Sequence, residues 1–137
     1  MAKQTTIEEA LIYVMIMTSA SDRAMSDAEL ARIGRLTRFL PVFENFDDEE
    51  LIQVSRDCTT LINGPEGLDI LLEVIKDTLP ERLYDTAYSL AVEIAAADQV
   101  LRSEELRVLQ LLRDRLGLDR LITTAIERAA IARFRKA

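Results

Sequence analysis

The run Ala10-Leu-Ile-Tyr-Val-Met-Ile-Met17 carries no charge on any face of the helix it would form. A helix with no polar stripe has no side to offer to water, so it belongs in the middle of a bundle with other helices around it. At eight residues the run is too short for a membrane span, which needs about 20. Thr5 or Thr6 can cap its start, with Glu8 or Glu9 near the positive end of the dipole.

A second strongly apolar segment, LYDTAYSLAVEIAAA, occupies residues 83–97. Each segment leads into nearly the same words: ASDRAMSDAELARI at residues 20–33 and AADQVLRSEELRVL at residues 96–109. Offset by 76 positions, Asp22 falls on Asp98, Met25 on Leu101, Glu29 on Glu105, Leu30 on Leu106 and Ile33 on Leu109. The expected architecture is an all-α, single-domain bundle over residues 1–137. It contains an internal pseudo-repeat, in which two buried central helices are each followed by an acidic turn and another helix.

Punctuation along the chain divides it into about seven helices. Ser26-Asp-Ala-Glu29 reads as a capping box, in which hydroxyl and carboxylate satisfy reciprocal amides at a helix start. That helix carries Leu30, Ile33, Leu36 (or Thr37) and Leu40 on one stripe until Pro41 stops it. VFENF follows as a loop with apolar anchors, and Asp47 opens a third helix ending near Asn63-Gly64. Pro65 and Glu66 suit the first turn of a fourth helix, which Gly67 weakens, with Leu68, Leu71, Leu72 and Ile75 buried. Pro80 begins a fifth, with Leu83, Ala87, Leu90, Ala91 and Ile94 inward, and Ala95-Ala96-Ala97 permits close approach. Ser103 caps a sixth helix, running through Leu106, Leu109 and Leu112 to Gly117. A seventh presents Leu121, Ile122, Ala125, Ile126 and Ala129. Only four Gly and three Pro leave little material for hairpins.

The net charge of −7 is unevenly placed: residues 1–100 hold 19 acids against 8 bases, and residues 101–137 hold 5 against 9. An acidic bulk of this size repels phosphate backbones and argues against nucleic acid as a partner. The tail bases Arg128, Arg133, Arg135 and Lys136 suit the negative end of a last helix. The single cysteine, Cys58, cannot form an intramolecular disulfide, and a start of MAKQTTIEEA lacks the pattern of a signal peptide. A cytoplasmic location is the expectation.

Chemistry is scarce. With no histidine, the commonest general base and the commonest transition-metal ligand are both absent. No phosphate-binding glycine loop occurs. Carboxylate-only catalysis needs substrate-binding aromatics, and these are 5% of the chain with no Trp. Cys58 in a helix reads as a small core residue. Tyr84 and Tyr88, four apart, read as a pair at a helix seam with hydroxyls toward solvent. The expectation is a protein that is not an enzyme.

The repeated acids are the one chemical lead. Asp22 with Glu29 and Asp98 with Glu105 are each seven apart, enough for two carboxylates to converge across a helix–turn–helix junction, and hard oxygen donors suit Ca²⁺ or Mg²⁺. Asp27, Glu104 and Ser26 are further oxygens nearby. The same residues read equally as local devices, Glu29 completing the capping box and Asp22 favouring the turn. There is no EF-hand run.

On the segments AAADQVLRSEELRVLQLLRDRLGL and SASDRAMSDAELARIGRLTRFL, the chain resembles the TerB-like tellurite-resistance family. The resemblance implies an all-helical domain of about seven helices, with acidic residues binding a divalent cation and protein partners in a bacterial stress-response assembly. It places those acids at Asp22, Glu29, Asp98, Glu104 and Glu105. Two departures stand out: Arg23 and Gln99 follow the aspartates where the family often has Gly, and Ala28 replaces one of the paired acids in the first copy. The alternative is a pure protein-interaction scaffold, similar to a co-chaperone module, with no metal.

Overall fold

A computed structural model describes residues 4–19, 25–97 and 103–137. Among them are seven α-helices and no strand: α1 Ile7–Ser19, α2 Asp27–Phe39, α3 Leu51–Asn63, α4 Gly67–Thr78, α5 Tyr84–Ala97, α6 Ser103–Leu116 and α7 Arg120–Arg133. They form a single all-α bundle. The start of α2 and the start of α6 lie 76 residues apart (27 and 103).

The run Ala10–Met17 is buried throughout, as a helix without a polar face requires. It packs against α2, α3, α4, α5 and α6. Its N-terminus is closed by a capping box: the Thr6 amide donates to Glu9 Oε1 at 2.8 Å and the Glu9 amide to Thr6 Oγ1 at 3.1 Å. Buried Thr18 donates its hydroxyl to the Val14 carbonyl, 2.8 Å away, so the interior carries that polar atom without an open hydrogen bond. The second central helix, α5, buries Ala87, Tyr88, Leu90, Ala91, Val92, Ile94 and Ala95 and supports α6 on one flank and α7 on another.

Several boundaries fall where local chemistry put them. Leu40 is extended because a residue before proline avoids the helical region, and α2 ends at Phe39. Pro41–Phe43 is a 3-10 turn that buries Phe43, whose ring meets Phe46 edge-on at 6.4 Å. Gly117 ends α6 with φ +63, letting the Leu118 amide reach back to the Arg113 carbonyl.

Other boundaries differ from expectation. Asp47 caps a 3-10 turn over Asp48–Glu50 that feeds α3, rather than opening the α-helix itself. Pro80 likewise precedes a 3-10 turn, Glu81–Leu83, and α5 starts at Tyr84. Ser103 is the first residue of α6 and not its cap. Glu66 stands outside α4 in the left-handed region at φ 54, with Gly67 opening the helix. A Cβ at Gly67 would overlap the backbone carbonyls of Leu61 and Ile62, so this glycine lets the α3–α4 corner close rather than weakening it.

The largest difference concerns α7. The expected stripe Leu121, Ile122, Ala125 and Ala129 is exposed, Leu121 to 77%, and Ile126 alone of that stripe is half-buried. Thr123 and Ala130 face inward instead. Leu106, expected inside α6, is 50% exposed.

Candidate functional site

Of the five acids singled out by sequence, Asp22 and Asp98 lie outside the described residues. Glu29 is engaged in the α2 capping box: its Oε1 accepts from the Ser26 amide at 3.0 Å, and the Ser26 hydroxyl accepts from the Glu29 amide at 3.1 Å. Glu104 is exposed on the first turn of α6, and Glu105 is buried beside it at 7% exposure. No group of three or more metal-ligating side chains occurs among the described residues. Helices α2 and α6 do not form a substantial packed pair, so Glu29 and the two α6 acids sit on separate junctions.

The structure gathers polar chemistry elsewhere. Tyr88, fully buried on α5, points its hydroxyl outward along the seam between α6 and α7. That hydroxyl donates to Glu127 Oε2 at 2.5 Å and accepts from Arg113 Nη1 at 2.9 Å, while Arg113 also reaches Glu127 directly at 3.0 Å. Three helices are thus tied at one point by bonds to ionised groups, which are stronger than neutral ones. The Arg113 guanidinium lies 6.0 Å from the Tyr88 ring centre. Burial first, and then the hydrogen bond to Glu127, push the Tyr88 hydroxyl up to about 12. The expectation of hydroxyls toward solvent is corrected for Tyr88, whose hydroxyl is taken by Glu127; Tyr84 donates to the Lys76 carbonyl at 3.2 Å in an exposed hydrogen bond.

Beside this tie lies a cleft of about 350 Å³. Its floor is α5, through the small side chains Val92, Ala95 and Ala96. Leu106, Leu109 and Gln110 of α6 form one wall, Ala130 and Ile131 of α7 the other, and Arg113 with Glu127 fix the distance between them. The cleft exists because α6 and α7 each pack on α5 but hardly on each other. Its volume and mostly apolar lining, with a few polar groups, fit a recognition site. Sequence reasoning missed this site, because Glu127 lies off the apolar stripe of α7 (Leu121, Ile122, Ala125, Ile126, Ala129) and reads there as an ordinary surface charge.

Cys58 is fully buried, and burial first, then nearby Asp57, push its thiol up to about 12. A thiol so placed is not a nucleophile near neutral pH. The tail cation Arg133 bonds Glu93 of α5 and lies over the Phe134 ring, so it fastens α7 as well as balancing its dipole.

No family model matches the chain, and no curated protein and no solved structure does so either. Among the described residues no helix is long and apolar enough to cross a membrane.

Proposed function

We propose that this protein is a non-enzymatic helical docking domain that holds a protein partner in the α5–α6–α7 cleft. The observation that carries the reading is the cleft itself, where Leu106 and Ile131 stay about half exposed above an alanine floor. Apolar side chains left in water around a concave surface mark interaction sites more often than isolated ones do. The lack of histidine and the inert Cys58 thiol support a role in binding rather than catalysis. The resemblance of residues 19–40 and 95–118 to TerB-like domains supports a partner-holding module in a stress-response assembly.

The test is a photo-crosslinking residue placed at Gln110 in the cleft wall, and separately at exposed Ile52 on α3, in cells that make the protein. A discrete adduct from position 110, lost when Ile131→Asp is also present, supports the reading. No adduct, or the same adducts from both positions, refutes it.

A second reading is divalent-cation binding near the head of α6. It is favoured by the buried carboxylate of Glu105, seven residues beyond Asp98. Ca²⁺ or Mg²⁺ would take oxygen ligands from Asp98, Glu104 and Glu105, with Asp22 and Glu29 as the weaker counterpart. Calorimetric titration with Ca²⁺, Mg²⁺ and Mn²⁺ tests it on the wild type and on Asp98→Asn with Glu105→Gln. Identical traces, or no heat at millimolar metal, remove it.

A further inference from the structure

The α4 helix shows what the neighbouring groove is built to receive. It is an acidic amphipathic helix that buries Leu71, Leu72 and Ile75 and packs across α1, α3 and α6. On α6, a single arginine clasps it: Arg115 reaches Asp69 at 3.2 Å and Glu73 at 3.5 Å, two carboxylates spaced i, i+4 on one face of α4. One flank of α6 is therefore already a receptor for an acidic amphipathic helix. The opposite flank forms the wall of the cleft and presents Leu106, Leu109 and Arg113; Arg107, the residue after Leu106, is exposed to solvent.

Charge points the same way. Residues 103–137 carry eight bases against five acids, while residues 1–100 carry 8 against 19. Arg107 on α6, Arg128 on α7 and Arg135 just past the end of α7 are exposed, and none of them is in an ion pair among the described residues. Glu127, the acid that lines the cleft, is already held by Arg113 and Tyr88. An anionic segment is repelled by most of this protein's surface and drawn to the α6–α7 side, which steers it to the cleft. The floor of Ala95, Ala96 and Val92 lets a helix backbone come close, and two flanking helices form the groove that helix-in-groove recognition uses.

We propose that the partner element held in the α5–α6–α7 cleft is an acidic amphipathic α-helix, gripped as α4 is gripped on the other side of α6. The proposal rests on the docking reading above. The incoming helix lays leucine-type residues at i, i+3, i+4 and i+7 over the alanine floor and turns glutamates or aspartates toward Arg107 and Arg128.

The experiment uses the full chain, labelled for amide NMR, and two helix-stapled peptides. Both have leucines at the apolar spacing of α4; one carries glutamate at the remaining positions and the other lysine. The glutamate peptide is expected to shift the amides of Ala95, Ala96, Leu106, Ala130 and Ile131. Its affinity should fall as salt rises, and the lysine peptide should bind roughly tenfold more weakly or less. In Arg107→Glu with Arg128→Glu, both surface changes that leave the remaining spectrum in place, the preference should reverse. Equal binding of both peptides to the wild type, or an unreversed preference in the double variant, overturns the acidic-helix proposal and leaves docking standing. If neither peptide shifts the cleft amides of the folded protein, the docking reading falls together with it.

Discussion

Removing one oxygen atom, in Tyr88→Phe, tests whether the α5–α6–α7 tie holds the cleft in shape. The phenyl ring keeps filling the fully buried site, so no cavity opens and the transfer term for the ring is unchanged. What is lost is a hydroxyl that donates to Glu127 at 2.5 Å and accepts from Arg113 at 2.9 Å. A hydrogen bond to a charged group contributes about 1.5–3 kcal/mol, but Arg113 and Glu127 remain bonded to each other and stay roughly a third exposed, so water recovers part of the loss. The expected destabilisation is about 1–2 kcal/mol in urea denaturation, which for a chain of this size lowers the melting temperature by roughly 2–8 °C. Because the effect runs through a network, Tyr88→Phe and Glu127→Gln should not add: a double-mutant cycle should return a coupling of about 1 kcal/mol. The hydroxyl also has a pH signature. Its proton is held up to about 12 in the fold against an ordinary 10.0, so as pH rises from 10 to 12 the unfolded chain loses the proton first and stability falls. Below pH 10 this contribution is fully present. Tyr88→Phe should flatten that alkaline decline in part, leaving the shares of Tyr13 and Cys58, which are also raised to about 12. Strictly additive mutants, together with an alkaline melting profile unchanged by the substitution, would refute the network.

Four further outcomes follow from packing and local geometry. Gly67→Ala should cost about 3 kcal/mol, because its Cβ meets the Leu61 and Ile62 carbonyls; Glu66→Gly beside it should stabilise by about 1 kcal/mol by relieving a left-handed non-glycine. Chemical denaturation of the pair checks both signs. Ser26→Ala should cost about 1 kcal/mol through the lost α2 cap, and a neutral result in thermal melts would show that the box contributes nothing. Cys58 should resist thiol reagents near neutral pH until the protein unfolds, and rapid stoichiometric labelling of the native state would contradict its burial.

Much of the fold was legible because it is set locally. An apolar run with no polar face has one place to go, and α1 goes there. Ser26 with Glu29, Leu40 before Pro41, and Gly117 each act within a turn of their own position, where sequence reading is strongest. The rotation of α7 was not legible for the opposite reason. Its apolar stripe alone would turn Leu121 and Ile122 inward, but Glu127 must face Tyr88, 39 residues away, and Arg113, 14 away. That requirement turns Thr123 and Ala130 to α5 and leaves the leucine in water. The cleft escaped notice with it, since its walls are created by that rotation. The predicted acids fared unevenly on the same principle: Glu29 is absorbed by a cap visible in sequence, whereas the burial of Glu105 depends on tertiary packing that spacing does not encode.

The all-round burial of α1 has a consequence for biogenesis. This helix leaves the ribosome before α5, which is part of its cover and whose last residue follows the end of α1 by 78 positions (19 to 97). At roughly 5–20 residues per second, a nascent chain displays this uncovered hydrophobic cylinder for about 4–16 seconds before its second central helix exists. Translation speed between codons 19 and 97 and the supply of a holding chaperone therefore bear directly on yield. Truncations that stop before α5 should accumulate as aggregates rather than as smaller folded domains.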